Sequence, residues 1–474
     1  MALQTEVAVV GAGPAGLAAA FAAARAGCAV TLIDSYAQPG GQFYKQMPSE
    51  FRAKSPGALH HGFGWAQRIM PALRANSKVS ILAGTTVWSA QASSADDSVA
   101  LYLNDDVKSC ELHARAVIVA PGAFDRALPF PGWDLPGVMT AGAMQTLVKS
   151  QRVLPGRRIV LSGSGPFLLP VAAALAQAGA QVLGVYEATH PRRWLRHALR
   201  ALGHRDKLRE ALEYMGSLRK YRVPVQFGRA VIRAEGDGQV RRVAVARLDA
   251  NWRSIAGSER YVEVDDVGVG YGFVPSIELA QLLGCALQYD PLQAGFFVKH
   301  DASMESSRKG VFVAGEITGI GGSGVARPQG AIAGLAAALM LGRLSAGKAR
   351  DAMAPHVKEL KRQQSFARLL HQLYAVPPGW IEWLTPNTVI CRCEEVSYAR
   401  VKEAITQSGA GDAKTVKNLT RCGMGFCQGR ICGSNVAAIT AALSGRPLKE
   451  VGRLGARPIV KPVTLGVIAR EETI

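Results

Sequence analysis

Gly11-Ala12-Gly13-Pro14-Ala15-Gly16, set between two apolar runs, constrains the fold of this chain more than any other stretch of its sequence. Glu6-Val7-Ala8-Val9-Val10 leads into it, an Ala-rich helical stretch follows to Gly27, and Ala29-Val30-Thr31-Leu32-Ile33 then ends at Asp34. The order is strand, tight turn, helix, strand. The first glycine permits the turn, the second lets a pyrophosphate approach the backbone, and the third lets helix and strand pack closely. Asp34 falls where an acid can bond ribose hydroxyls. The pattern returns further on: Arg158-Ile159-Val160-Leu161-Ser162 runs into Gly163-Ser164-Gly165-Pro166-Phe167-Leu168, and a later strand ends at Glu187. Two such units predict an α/β chain with two dinucleotide-binding-like domains. In the second unit Leu168 replaces the third glycine and Glu187 would repel a 2′-phosphate, so NADPH is disfavoured and NADH is left open.

Three later segments resemble flavoproteins of the glutathione-reductase type. Pro39-Gly40-Gly41-Gln42 corresponds to their loop near the flavin, and Ala116 to Ala123 to the strand and small-residue turn that close their FAD domain. Gly310-Val311-Phe312-Val313-Ala314-Gly315-Glu316 corresponds to the strand whose terminal acid meets the ribitol, with Glu316 where Asp is usual. Gly330 and Gly334 are expected to open a helix whose N-terminus points at the flavin. The resemblance implies a glutathione-reductase-like double Rossmann fold with bound FAD. It assigns Gly11, Gly13, Pro14, Ala15, Gly16, Asp34, Ser35, Gly41, Gln42, Val87, Ala120, Gly122, Gly315, Glu316 and Gly330 to the cofactor. Disulfide reductases of this fold carry a close cysteine pair beside the flavin; here Cys28 is placed in the first helix and Cys110 and Cys285 stand alone, so that chemistry is rejected.

The other five of the eight cysteines, Cys391, Cys393, Cys422, Cys427 and Cys432, crowd into the last fifth of the chain, which is not a disulfide framework. Cys391-Arg-Cys393 and Cys427-Gln-Gly-Arg-Ile-Cys432 form two close pairs. Zinc pairs usually bracket two to four residues, a turn that a single intervening residue fits poorly. Gly423, Gly425, Gly429 and Gly433 let backbone N–H groups approach sulfide. An iron-sulfur centre fits better, with zinc the standing alternative.

Ile390 to Val396 together with Thr420 to Arg430 resembles the bacterioferritin-associated-ferredoxin-type 2Fe-2S domain, as fused to flavoprotein subunits of opine oxidases, hydrogen cyanide synthase and hydroxyproline dehydrogenases. The resemblance implies Cys391, Cys393, Cys427 and Cys432 as ligands of a 2Fe-2S cluster in a small C-terminal helical domain. Cys422 departs from the pattern and reads as a buried spare thiol. The resemblance covers almost the whole chain.

At 474 residues and 48% apolar content the chain can bury two or three cores. The expected division is an FAD domain at 1–125 and 300–345, an NAD(P)-binding-like domain at 126–299, a helical connector at 346–388, and a 2Fe-2S domain with a wrapping tail at 389–474. Trp380 and Trp383 at i, i+3 suggest packing between domains. The early first strand leaves no room for a signal peptide, and with reduced thiols it suggests the cytoplasm. The net charge of +19, concentrated between Arg192 and Arg233, comes with no nucleic-acid-binding module and reads as a solvated basic face, with docking of an acidic partner or peripheral contact with the inner membrane as alternatives. His60, His61 and His190 are isolated and read as structural or surface histidines, so no catalytic residue is named.

The family resemblance implies an electron-transferring FAD and 2Fe-2S subunit of a hetero-oligomeric dehydrogenase acting on an amino acid, imino acid or opine. Its partner would be an FAD-containing beta subunit of the D-amino-acid-oxidase type. An FMN at the interface between the two and a small third subunit are further options, and the acceptor would be a quinone or ferredoxin. The alternatives are a stand-alone NADH-dependent flavin and iron-sulfur oxidoreductase and a scaffold retaining only structural cofactors.

Overall fold

In the computed structural model, which describes residues 3–48, 50–51, 63–93, 98–194, 197, 203–455 and 457–469, the chain forms two compact units. One comprises Met1–Ala123, Pro275–Ala367 and Ala456–Ile474, the other Phe124–Val274 and Arg368–Gly455. His60 and His61 lie outside the described residues, as do Leu195 and Arg196 of the basic stretch.

The first unit is organised on β1 (Leu3–Val10), β2 (Val30–Asp34), β3 (Val79–Ala83), β4 (Thr86–Ala92), β5 (Val99–Asn104) and β6 (Ser109–Val119), in the order β3-β2-β1-β6-β5-β4. β1, β2 and β3 are parallel, and β6 runs parallel to β1. The eleven-residue β6 forks: its first half pairs antiparallel with β5, and its last three residues pair in parallel with Val311–Val313. That fork brings the late segment of the chain beside the Gly11 turn. The helix Pro14–Arg25 buries Ala15, Ala18, Ala19, Ala20, Ala23 and Ala24, and these small side chains allow close approach of a second helix, Gly322–Met340. A Cβ on Gly330 would stand 2.0 Å from Ala15 O, and one on Gly334 2.3 Å from Ala19 O.

Two sequence expectations change here. The second helix begins at Gly322, not at Gly330, so Gly330 sits inside it as a crossing point for the first helix rather than at an N-terminus facing a ligand. Cys28 lies beyond the first helix, which stops at Arg25 ahead of Gly27 at φ +96°, and is buried just before β2. The C-terminal stretch lies on this unit: Val460 N donates to Trp88 O at 2.7 Å and Ser89 Oγ to Pro458 O at 3.1 Å.

The second unit holds a parallel five-stranded sheet in the order Val225–Phe227, Gln181–Glu187, Arg158–Gly163, Asp266–Gly270, Val138–Thr140, and an antiparallel three-stranded sheet of Arg229–Glu235, Arg242–Arg247 and Arg260–Glu263. Residues 389–444 add a short hairpin (Val389–Cys391 with Val396–Ser397) and helices Tyr398–Thr406, Ala413–Thr420 and Gly433–Ser444. Ser397 and Asp412 cap the first two, accepting from Arg400 N and Thr415 N. This part shares one core with the sheets: Trp133, Trp252, Trp380, Ile390 and Val436 belong to a single buried cluster. Trp133 Nε1 donates to Val389 O at 2.6 Å, Trp383 Nε1 to Trp252 O at 2.9 Å, and Asn435 Nδ2 to Ala127 O at 2.9 Å. Both indole N–H groups thus find a backbone partner, the condition under which indoles tolerate burial. Among the described residues no helix is long and apolar enough to cross a membrane.

Candidate nucleotide and cysteine sites

The Gly11 turn is built by backbone bonds from three directions. Gly11 N donates to Ile33 O, Ala120 N to Val10 O and Gly40 N to Ala12 O, at 2.8, 2.9 and 2.8 Å. Side chains are excluded where the segments meet: a Cβ on Gly11 would lie 2.3 Å from Ala120 O, on Gly16 1.7 Å from Gly11 O, and on Gly41 2.7 Å from Gly13 Cα. Gly13 differs, since a Cβ there would meet only Gly41 Cα at 4.0 Å. It is also the residue before the helix, where no side chain caps the first-turn N–H groups and Pro14 occupies the first helical positions. Open donors beside an open approach are what a pyrophosphate requires.

Asp34 is buried and accepts from Ala12 N at 2.8 Å and Tyr36 N at 2.9 Å. Burial pushes its pKa up, opposed by these two donors and by Lys461 from the C-terminal stretch. A carboxylate accepts about four hydrogen bonds, so two of its sites remain for a ribose. Gly315, at φ +81°, faces Ala15 and donates its N–H to Gln329 Oε1 at 2.9 Å. Glu316 is turned into its own loop, accepting from Gly321 N at 3.2 Å and Gly322 N at 2.8 Å, and burial pushes it up to about 7. Its extra methylene is spent on closing the loop that starts the Gly322 helix.

Gly11, Gly13, Ala15, Gly16, Asp34, Gly41, Ala120 and Gly315 therefore stand together, and Gly330 reaches them through Ala15. Gly122, at φ +79°, continues the Ala120 strand end, and its carbonyl accepts from Ser276 N. Val87 is a buried core residue beside Val10 and Ile33. Ser35 and Gln42 are exposed, the latter donating to the Tyr36 hydroxyl. Gln329 and Lys461 are the residues that sequence reasoning missed; only their tertiary contacts identify them.

The second turn repeats the first with one change. Glu187 accepts from Gly165 N at 2.9 Å and Thr189 N at 2.8 Å, while Ser164 and Thr189 hydroxyls bond each other at 2.9 Å. Burial pushes Glu187 up to about 7. The helix, however, begins only at Leu168, whose side chain is buried where the first unit has Gly16, and Pro166-Phe167 forms a turn instead. Phe167 packs on Phe273 with centroids 5.2 Å apart.

The five late cysteines lie on two loops. Cys391, Cys422 and Cys432 are buried, Cys427 is half-buried and Cys393 exposed. Among the described residues no three His, Cys, Asp or Glu side chains are already arranged around one ion position. The thiols instead contact across the loops: Cys391 with Cys422 and Cys432, and Cys393 with Cys427. Hydrogen bonds from these two thiols, and from the Gly423 and Glu394 backbone, hold Cys391 well below the ordinary thiol range. The hydrogen bond to Cys391 and then burial push Cys422 and Cys432 upward. Gly425 is needed because a Cβ would lie 2.4 Å from Cys393 Cβ, and Gly423 because of φ +79° and a 2.4 Å approach to Leu454. Arg421 Nε bonds Glu394 Oε2 at 2.9 Å and ties the loops together. Two cross-loop sulfur pairs with backbone N–H groups aimed at them suit two irons taking two thiolates each.

Comparison with known proteins identifies the family. Residues 5–342 match the family Pyridine nucleotide-disulphide oxidoreductase, and residues 389–442 match the BFD-like 2Fe-2S binding domain. An opine oxidase subunit of Rhizobium meliloti is 33% identical over 98% of this chain and 87% of its own length. Hydrogen cyanide synthase subunit HcnB of Pseudomonas aeruginosa is 31% identical over 96% of each chain. The crystal structure of L-proline dehydrogenase from P. horikoshii superposes with a TM-score of 0.72 at 21% identity, covering 99% of this chain and 80% of that one, which shows the shared fold. The double Rossmann fold and the C-terminal cysteine domain expected from sequence are both present. The chain is an FAD-dependent oxidoreductase of the pyridine nucleotide-disulphide oxidoreductase family, in the group that carries a C-terminal BFD-like 2Fe-2S domain.

Proposed function

We propose that this chain is the electron-transferring FAD and 2Fe-2S subunit of a hetero-oligomeric dehydrogenase that oxidises an amino acid, imino acid or opine and passes the electrons to a quinone or ferredoxin. The observation that carries the reading is the presence, in one chain, of an open pyrophosphate cradle at Gly11–Gly16 and a cross-paired thiol cluster at Cys391–Cys432. Gly11, Gly13, Gly16, Asp34, Gly41 and Gly315 would hold FAD; Cys391, Cys393, Cys427 and Cys432 would hold the cluster. When bound, the flavin supplies two-electron acceptance and the cluster one-electron passage. The relatives are by name subunits, which supports a hetero-oligomeric complex; the partner in this proposal is of the D-amino-acid-oxidase type and carries the substrate pocket, with FMN at the interface between the two as a further option.

The stand-alone NADH oxidoreductase is the weaker reading, because Leu168 fills the position of the third glycine and the second helix starts late. Co-purification from the native source, followed by anaerobic mixing, tests the choice. Bleaching of the flavin band by an amine in the complex, and none by NADH, supports the relay; rapid bleaching of the chain alone by NADH contradicts it.

A further inference from the structure

We propose that a cavity at one end of the antiparallel sheet of the second unit binds a phosphate-bearing small molecule, held by Arg229, Arg247 and Arg260.

The cavity has a volume of about 330 Å³, and the three arginines line it together with Ile255, Ser258 and Glu259. Strand register puts the arginines on one face. Arg229 lies directly opposite Arg247, and Arg260 opposite Val245, which precedes Arg247 by two residues on the central strand. Like charges set opposite each other weaken a sheet. Among the described residues none of the three guanidinium groups has a carboxylate partner. Arginines further along the same sheet are paired: Arg233 bonds Glu235 at 3.1 Å and Arg242 bonds Glu235 at 2.7 Å. Glu259, the acid of the cavity lining, is taken by Arg233 at 3.0 Å, and the same Arg233 nitrogen donates to the Tyr261 hydroxyl at 3.0 Å. Arg233 and Tyr261 both stand opposite Ala244, one residue from Val245 and therefore on the other face.

The backbone that carries the arginines is fixed. Arg247 N donates to Ser258 Oγ at 3.0 Å, Arg247 O accepts from Ile255 N at 2.9 Å, and Ser258 Oγ donates to Ile255 O at 2.6 Å. Gly228 O, just before Arg229, accepts from Leu248 N at 2.8 Å. Guanidinium forks match phosphate oxygens two at a time, and three of them call for more negative charge than one carboxylate supplies. The volume admits more than a bare ion, and Ile255, 40% exposed, offers an organic group an apolar wall. A soluble phosphate ester and a phospholipid headgroup present this same chemistry.

The test uses the full chain saturated with FAD, as wild type, Arg229→Gln, Arg247→Gln, Arg247→Lys and, from elsewhere on the basic surface, Arg209→Gln. Pyrophosphate is titrated by calorimetry at constant ionic strength, and thermal midpoints are taken with and without it. Wild type and Arg209→Gln should bind and gain stability. Arg229→Gln and Arg247→Gln should bind roughly tenfold or more weakly and, relieved of like-charge repulsion, keep at least the wild-type midpoint without ligand. Arg247→Lys, which keeps the charge but loses the fork, should also bind more weakly. No binding, equal affinity in every chain, or wild-type affinity in Arg247→Lys overturns the proposal. A lower ligand-free midpoint in both glutamine variants overturns it too, because the arginines are then structural. Polyglutamate that binds as tightly as pyrophosphate marks an acidic protein partner and equally overturns it. Sedimentation with phosphatidylcholine vesicles containing phosphatidic acid separates the sources: arginine-dependent cosedimentation assigns the phosphate to a lipid headgroup, and its absence, with pyrophosphate bound, to a soluble ester.

Discussion

Glu187 Oε2 accepts from Gly165 N at 2.9 Å, one turn position later than the Ala12 N that donates to Asp34 Oδ2 at 2.8 Å in the first unit. Each acid also takes the N–H two residues on, Thr189 and Tyr36. The two turns are thus built alike, and they differ at the helix start, Pro14 in one and Leu168 in the other. Two missing residues of helix remove the aligned first-turn donors that stabilise a pyrophosphate. NADH added anaerobically to the purified chain should leave the flavin band unbleached, and equilibrium dialysis should show no tight NADH binding.

Burial raises Glu187 from 4.5 to about 7, so between those values the folded chain holds more protons than the unfolded one. Stability contributed by this group is therefore present below pH 4.5 and is lost as pH rises toward 7, at up to about 1.4 kcal/mol per pH unit. Glu316 has the same sign and window. Glu187→Gln should lower stability outright by roughly 1–3 kcal/mol, because an amide cannot accept both N–H groups, but it should flatten that slope. Denaturant midpoints measured from pH 5 to pH 8 check this; an unchanged slope contradicts it.

Gly330→Ala puts a methyl group 2.0 Å from Ala15 O and forces the two helices of the first unit apart. Overpacking of this kind costs roughly 1–3 kcal/mol. Because Ala15 belongs to the Gly11–Gly16 turn, FAD retention on gel filtration should fall while iron content, held in the other unit, stays at the wild-type level.

Gly425→Ala is the converse case. Its Cβ would stand 2.4 Å from Cys393 Cβ, so the loop must shift away from the Cys393–Cys427 pair. Iron and acid-labile sulfide should drop with FAD unaffected.

Local pattern made the framework legible. Gly11, Gly13, Gly16 and Asp34 have fixed spacing because a strand, a turn and a helix dictate it, and the same holds for Gly163, Gly165 and Glu187. Gly330 misleads because a glycine that starts a helix and one that lets two helices cross look the same in sequence; only the carbonyl of Ala15 distinguishes them. The turn of Glu316 toward Gly321 and Gly322 follows from its length only once the loop is seen. Gln329, Lys461 and the thiol contact of Cys422 are tertiary, made by residues whose neighbours in sequence carry no trace of them.

The most direct test of the account is metal, sulfide and flavin analysis of freshly purified chain kept free of oxygen, with an EPR spectrum after reduction. Two irons, two acid-labile sulfides and one FAD per chain, with the signal of a reduced 2Fe-2S centre that disappears in Cys393→Ala, are the predicted result. Zinc in place of iron, or iron that Cys393→Ala leaves untouched, would contradict it.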